Sequence, residues 1–372
     1  MTVSIDRAGD IAVITVDNPP VNALGQALRQ GLWDAVEMLD LDPAVRAVVL
    51  TCAGRTFIAG ADVAEFGKPP VPPHLPDLVD RVERAAKPWV AAIHGSALGG
   101  GFELAMGCRF RVALDSAAVG LPEVALGIIP GASGTVRTPR LAGVEVAVDL
   151  VTSGRPVRAA EALSMGLLDH VVTGDLRSEA VAFAREALTR PLPPPISARP
   201  ITSPDSLWWK RQREIIVGRA KGEVAPLRAL DCLRMAAEAP FAEAVAHERA
   251  TFLTLRASDQ AAALRHVFFA ERAAYRPAHL AGVNPRRIGK VAVIGRTATG
   301  EGIFAALRDA GVPTVLLERD ALFSDTLGSP LDDADLAIEC VSGDLEVRRA
   351  VLARLDQVCS AHAVLATTGA NL

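Results

Sequence analysis

The sequence predicts an α/β protein that passes into a long helical segment and then into a second, smaller α/β piece. Three observations carry this prediction. Short apolar runs alternate with helical stretches from residue 3 to residue 172; residues 207–275 are almost purely helix-forming; and KVAVIG at Lys290–Gly295 restarts the strand pattern. Repeated strand–helix alternation is the mark of a sheet built through crossovers. At 372 residues the chain is long enough for about two domains.

Taken in order, Val3–Ile5 and Ile11–Val16 flank Gly9-Asp10, a hairpin signal. Leu24–Leu39 has Leu32, Val36 and Leu39 at helical spacing. Strands are expected at Ala47–Thr51, Trp89–Ile93, Arg109–Ala113, Ala118–Gly120 and His170–Val172, and helices at Val144–Thr152 and Ala159–Met165. Gly67–Pro76 carries five prolines and reads as a surface connection or as a loop over a pocket. Arg190–Pro204 is equally proline-rich and reads as a linker. Within the helical segment, Pro226 and Pro240 mark breaks. After Gly295, a helix is expected at Ile303–Ala310 and strands at Val312–Glu318 and Leu336–Cys340. The expected domains are 1–190, a linker with packing helices at 191–287, and 288–372.

Composition excludes several classes. Half the residues are hydrophobic, so a full core is available. A net charge of −4 without any Lys/Arg run argues against nucleic acid. No apolar window approaches the about 20 residues a membrane span needs. Asp6, Arg7 and Asp10 stand where a signal peptide would have its apolar core. The five cysteines are scattered without C-x-x-C and the seven histidines do not cluster. This implies no disulfide framework, no metal site and a cytoplasmic setting.

Chemistry concentrates between Ile93 and Arg137. Gly99-Gly-Gly101 opens a helix, Glu103 follows in its first turn, and Glu123 comes twenty residues later in Gly120-Leu-Pro-Glu123. The N–H of Gly100 has no partner within its helix and gains from the helix dipole. The small residues of Phe57-Ile-Ala-Gly-Ala-Asp62 offer a second backbone donor. Two such donors stabilise an oxyanion, and two carboxyl groups in the same covered pocket have raised, coupled pKa values suited to acid–base work. Alone, a triple glycine is a turn and a glutamate near a helix start is a surface residue. Their occurrence together, with Ile129-Pro-Gly-Ala132 downstream, is what points to enolate chemistry.

These residues bring a family into view. Residues 4–172 resemble the crotonase (enoyl-CoA hydratase/isomerase) superfamily in Pro19-Pro-Val-Asn-Ala-Leu24, Phe57–Asp62, Ala97-Leu-Gly-Gly-Gly-Phe-Glu103, Leu121-Pro-Glu123, Ile129–Ala132 and Ser153–Asp169. The resemblance implies a crotonase-type ββα spiral domain that binds acyl-CoA. It implies oxyanion donors at Ala61 and Gly100, an acid–base pair in Glu103 and Glu123, and substrate contacts at Ala23, Gly60, Asp62 and Gly131. With both glutamates present, the implied reaction is hydration of 2-enoyl-CoA, with Δ3,Δ2-enoyl isomerisation as a second activity. Alternatives are another acyl-CoA isomerase, dehydratase or hydrolase, or a non-catalytic CoA-ester binder. The chain departs from the family at Ser133, where glycine is usual, and at Ala64, where a polar residue is usual. The first would narrow the pocket and the second would remove a CoA contact.

The whole chain resembles the multifunctional β-oxidation proteins, in which a crotonase domain is joined through helices to a 3-hydroxyacyl-CoA dehydrogenase. Ala263–Arg272 is similar to that family's linker helix, although on pattern alone it is simply an amphipathic helix. Gly295-Arg-Thr-Ala-Thr-Gly300 resembles a dinucleotide fingerprint in which Thr297 replaces the second glycine. Glu318 stands where a ribose would be held, Asp333 follows only fifteen residues later, and Ala370 occupies the place of the family's serine. The reading is a truncated Rossmann-like remnant (Gly295, Thr297, Gly300, Glu318) with no hydride transfer and no expected NAD binding. It would serve to cover helices or build a subunit contact. No cofactor is expected to be required, and monomer and homo-oligomer both stay open.

Overall fold

The structure is a computed structural model that describes residues 2–62, 65, 69–274, 282–324 and 331–369. Tyr275, Ala64, Ala370 and parts of the Gly67–Pro76 and Val63–Pro76 stretches lie outside the described residues. Contacts divide the chain into two compact units, Met1–Arg276 and Pro277–Leu372.

In the first unit, β1 (Val3–Ala8) and β2 (Ile11–Val16) form the expected hairpin around Gly9-Asp10, with Ala8 opposite Ile11. The chain continues through α1 (Gln26–Leu41), β3 (Ala47–Cys52), α2 (Leu75–Glu83), β4 (Trp89–Ile93), β5 (Ser96–Leu98) and α3 (Gly100–Gly107). Next come β6 (Phe110–Leu114), β7 (Ala118–Gly120), a 3₁₀ turn at Pro122–Leu126, α4 (Gly134–Ala142), α5 (Val144–Ser153), β8 (Val157–Arg158), α6 (Ala159–Ser164), β9 (His170–Val172) and α7 (Leu176–Ala187). A six-stranded sheet has the order β1-β2-β3-β4-β6-β9, parallel throughout except for the first pair, and a small sheet has the order β5-β7-β8.

The strands read as continuous apolar runs because both sheet faces are covered. Ile11, Val13, Val49, Val90 and Ala92 pack under α7. Their alternate neighbours Ala12, Ile14, Val48, Leu50 and Ala91 belong to the main core. Leu24 differs from expectation: α1 starts two residues later, because Leu24 is drawn into a bridge with Ala61. The proline-rich stretch is fastened to α1 by Arg29, whose Nε donates to Pro73 O at 2.7 Å and whose Nη1 pairs with Glu65 at 2.8 Å.

Four helices follow: α8 (Ser206–Ala220), α9 (Ala225–Glu238), α10 (Phe241–Arg256) and α11 (Asp259–Ala274). They join the same core rather than forming one of their own, through Trp209, Leu230, Leu233, Leu255 and Ala261.

The second unit holds β10 (Val291–Ile294), α12 (Ala298–Asp309), β11 (Thr314–Leu317), α13 (Arg319–Leu322), β12 (Leu336–Glu339), α14 (Leu345–Val358) and β13 (Val364–Thr367). Its sheet is all parallel in the order β11-β10-β12-β13. Helix α14 covers one face through Val351 and Leu355, and α12 covers the other through Ile303 and Leu307. This is the doubly wound arrangement expected of a Rossmann-like unit. Helix α12 begins five residues earlier than the pattern predicts, because Thr297 caps it.

In the first unit α3 runs so close to the neighbouring loop that only glycine fits at its start. A Cβ on Gly101 would lie 2.1 Å from the carbonyl oxygen of Ile58. Gly101→Ala is therefore expected to destabilise the unit by about 1–3 kcal/mol, seen as a lower urea midpoint; an unchanged midpoint contradicts this packing.

Candidate active site

The site is assembled where three chain segments meet the first turn of α3. The first is the loop after β3. Asn22 adopts φ 54° and is 3% exposed, and its Nδ2 lies within 3.0 Å of the carbonyls of Ala53, Thr56 and Phe57. Its Oδ1 accepts from Asn18 N at 2.8 Å. Leu24 N donates to Gly60 O at 3.0 Å, and Leu98 N to Ile58 O at 3.1 Å. These bonds spread the loop between residues 18–24 and β5, and they present Ala61 beside Gly100. An ideal Cβ on Gly100 would lie 3.2 Å from Ala61 N. Among the described residues, neither the Ala61 nor the Gly100 N–H donates a hydrogen bond. Two neighbouring amides without acceptors are what an oxyanion requires.

Glu103, one turn into α3, is 2% exposed. Its Oε1 accepts from Ala132 N at 2.7 Å and Gly134 N at 2.8 Å, at the start of α4. Its Oε2 accepts no hydrogen bond among the described residues. Burial pushes this carboxyl up to about 7, against the two N–H bonds and the charges of Arg137 and Arg249, which pull it down.

Glu123 lies in the 3₁₀ turn, with its Oε1 2.8 Å from where a Cβ on Gly99 would stand. The buried Oε2 has no hydrogen-bond partner among the described residues. Burial first, then the nearby Glu103 charge, holds Glu123 well above the usual carboxylate range. The two glutamates thus sit in one electrostatic field, both raised by burial and titrating as a coupled pair.

The structure adds a third carboxyl that the sequence reading missed. Glu248 on α10 is 1% exposed. Its Oε1 accepts from Ser133 N at 2.5 Å, and its Oε2 from Thr135 N at 2.7 Å and Thr135 Oγ1 at 2.6 Å. Burial and then the Glu103 charge raise it to about 8, against the bonds from Thr135 and Ser133. One signal was legible: Ala244, Glu248 and Leu255 share the buried face of α10, where a charge is out of place. Also missed was Arg137, 2% exposed, which pairs with buried Glu83 at 2.7 Å.

The remaining expected contacts fall around this centre. Gly131 packs under Phe252 of α10, whose ring carbons lie 2.6 Å from an ideal Cβ there. The Gly60 backbone faces Leu98 O, and Asp62 lies against Gly25. Ala23 O accepts from Asn18 Nδ2 at 2.9 Å. Ser133 does not narrow a pocket as expected: it is 3% exposed, and its hydroxyl contacts Ala132 O and Arg137 Nη1 in the interior. The helix similar to the family's linker, α11, lies on the turn that follows Glu123, with Ala261 Cα 2.8 Å from an ideal Cβ on Gly127.

In the second unit, Gly295 (φ 108°) lies against Cys340, and Thr297 Oγ1 donates to Cys340 O at 2.9 Å while accepting from Gly300 N at 3.1 Å. Thr297 thus uses the N–H of Gly300 and stands at the switch point between β10 and β12. Glu318 is exposed at the end of β11.

Residues 6–194 match the enoyl-CoA hydratase/isomerase family, and residues 322–372 match the 3-hydroxyacyl-CoA dehydrogenase NAD-binding domain. The second match starts beyond the turn that carries Thr297. Over 405 residues the chain is 37% identical to the peroxisomal bifunctional enzyme of Danio rerio, taking in 97% of this chain and 55% of that one. The chain spans about half the length of the relatives it matches. Among solved structures, the carnitinyl-CoA hydratase of Mycobacterium avium is 30% identical with a TM-score of 0.53, covering 73% of this chain and 96% of its own. An enoyl-CoA hydratase/isomerase of Pseudoalteromonas atlantica T6c is 26% identical with a TM-score of 0.56, covering 73% and 98%. The chain belongs to the enoyl-CoA hydratase/isomerase family.

With carbon-13 in the glutamate carboxyls, resonances titrating near about 7 and about 8 are expected, far from the surface glutamates. Glu103→Gln should remove one of them and displace the other, because the groups are coupled. A spectrum in which all glutamates titrate together near the ordinary value overturns the electrostatic description.

Proposed function

We propose that the chain adds water across the 2,3 double bond of 2-enoyl-CoA thioesters. The observation that carries this reading is the pair of adjacent amides, Ala61 and Gly100, that donate to nothing among the described residues, beside the buried carboxyls of Glu103 and Glu123. The thioester oxygen accepts from both amides. Glu103, ionised, takes a proton from water through Oε2 as the water oxygen bonds to Cβ. The displaced π pair moves onto the thioester oxygen as an enolate, where the two N–H groups stabilise it. Glu123, still protonated, delivers its proton to Cα, and transfer of the proton held by Glu103 restores the starting charges.

The sign of each pKa displacement suits this division. A base must be ionised, so a carboxyl raised to about 7 rather than far higher remains usable near neutrality. An acid must hold its proton there, and burial moves Glu123 in that direction. Proton exchange at Cα by Glu123 alone would also move a 3,4 double bond to the 2,3 position. Ala23, Gly60, Asp62 and Gly131 would line the bound thioester. Five free cysteines, four of them buried, support action in a reducing compartment.

The second unit is proposed to lack dinucleotide binding, which Thr297 supports by taking the N–H and the space that pyrophosphate would need. Titration with NAD is expected to give no saturable binding tighter than a Kd on the order of 1 mM; micromolar binding overturns this part of the proposal.

Hydration of crotonyl-CoA, followed by loss of its conjugated absorbance, tests the reading directly. The rate should rise with pH through about 7 as Glu103 ionises. Glu123→Gln should lower kcat by roughly 10²–10⁴-fold with KM nearly unchanged. An undiminished rate removes Glu123 from the mechanism, and no hydration by the unaltered protein removes the reading.

A further inference from the structure

The entry to α4, from Ala132 to Thr135, offers four consecutive backbone N–H groups, and they are dealt alternately to two buried carboxyls. Ala132 and Gly134 donate to Glu103, while Ser133 and Thr135 donate to Glu248. The first N–H groups of a helix have no partners within it, and buried ones must find acceptors elsewhere. Here the four are divided between two carboxyls. We propose that Glu248 is a positioning residue for Glu103. By taking the two N–H groups that point to α10, it fixes the left-handed bend at Ser133, so that the other two converge on Oε1 of Glu103. That leaves Oε2 of Glu103 facing the reacting water.

Three features separate this role from simple core packing. Glu248 accepts three hydrogen bonds through both oxygens, the third from Thr135 Oγ1, so its orientation is fixed. Ser133 takes a left-handed φ of 76°, which turns its N–H away from those of its neighbours and makes the alternation possible. And Glu248 lies on α10, outside residues 6–194, so the segment that bears Glu103 does not supply its own partner. The titratable and charged groups that interact with Glu248 are Glu103 on α3, Glu123 in the 3₁₀ turn, Cys232 on α9 and Arg249 on α10 itself. None of them makes a hydrogen bond that would replace either N–H pair.

This inference rests on the hydratase reading. The test uses the full chain and crotonyl-CoA, with activity of the unaltered protein as its control; if that is absent, the hydratase reading fails rather than this one. Glu248→Gln keeps shape but sets an NH₂ against a backbone donor. It should lower kcat by about 30-fold while KM stays within about three-fold, since the oxyanion amides belong to other elements. Combined with Glu103→Gln it should cost little more than Glu103→Gln alone, because the two act through one group. A kcat within about three-fold of the unaltered protein, or losses that multiply in the double variant, overturns the proposal. Should Glu248→Gln fail to fold, Thr135→Val removes one of its three donors and enters the same cycle. It should give a smaller kcat loss that again vanishes in the Glu103→Gln background, and a loss that persists there overturns the proposal.

Discussion

The structure of the first unit depends on one close approach. The start of α3 lies so near the Ile58–Ala61 segment that Gly101 has only 2.1 Å between an ideal Cβ and the Ile58 carbonyl oxygen. At that distance any side chain would force the helix outward. Because no side chain is there, the Gly100 and Ala61 amides come side by side, and Glu103 is carried inward on the next turn. The wide sheet, the small sheet and Asn22 all serve to hold these two segments against each other. The geometry of the site is in this sense a by-product of a packing distance.

A second constraint concerns charge. Burial penalises an ionised carboxyl by far more than a surface salt bridge returns, so each buried one needs donors. Glu103 and Glu248 find them at one helix start, whereas the buried Oε2 of Glu123 accepts none among the described residues. Burial raises the Glu123 carboxyl against a bond from its own backbone. The second unit shows the reverse economy. Its sheet order is that of a nucleotide-binding fold, yet Thr297 meets its own helix's need for a cap with a side chain.

Much of this was legible in the residues. Apolar runs give β2, β4 and β9, and helical spacing gives α5, nearly to the residue, whereas β1 runs on to Ala8, three residues past the expected Ile5. The four central positions were readable because glycine and glutamate in that order have few other reasons to occur together. Helix α4 was not readable: GTVRTPRLA contains β-branched residues and Pro139, and its stability comes from the core around it and from acceptors more than a hundred positions away. Glu248 is hidden for the same reason, since its partners are backbone groups that leave no trace in the sequence. The helical pattern of Leu32, Val36 and Leu39 extends back to Leu24, whereas the Leu24 backbone is committed to the bridge with Ala61.

The alternation along the start of α4 bears on how such chains can be recombined. The stretch recognisable as a family segment ends at residue 194, but two of its buried main-chain donors are completed by a side chain at 248. Cutting or grafting at the recognisable border would strand those amides in an apolar interior. The heritable module is therefore larger than the motif that advertises it, and α8 to α11 travel with it as a condition of its being foldable.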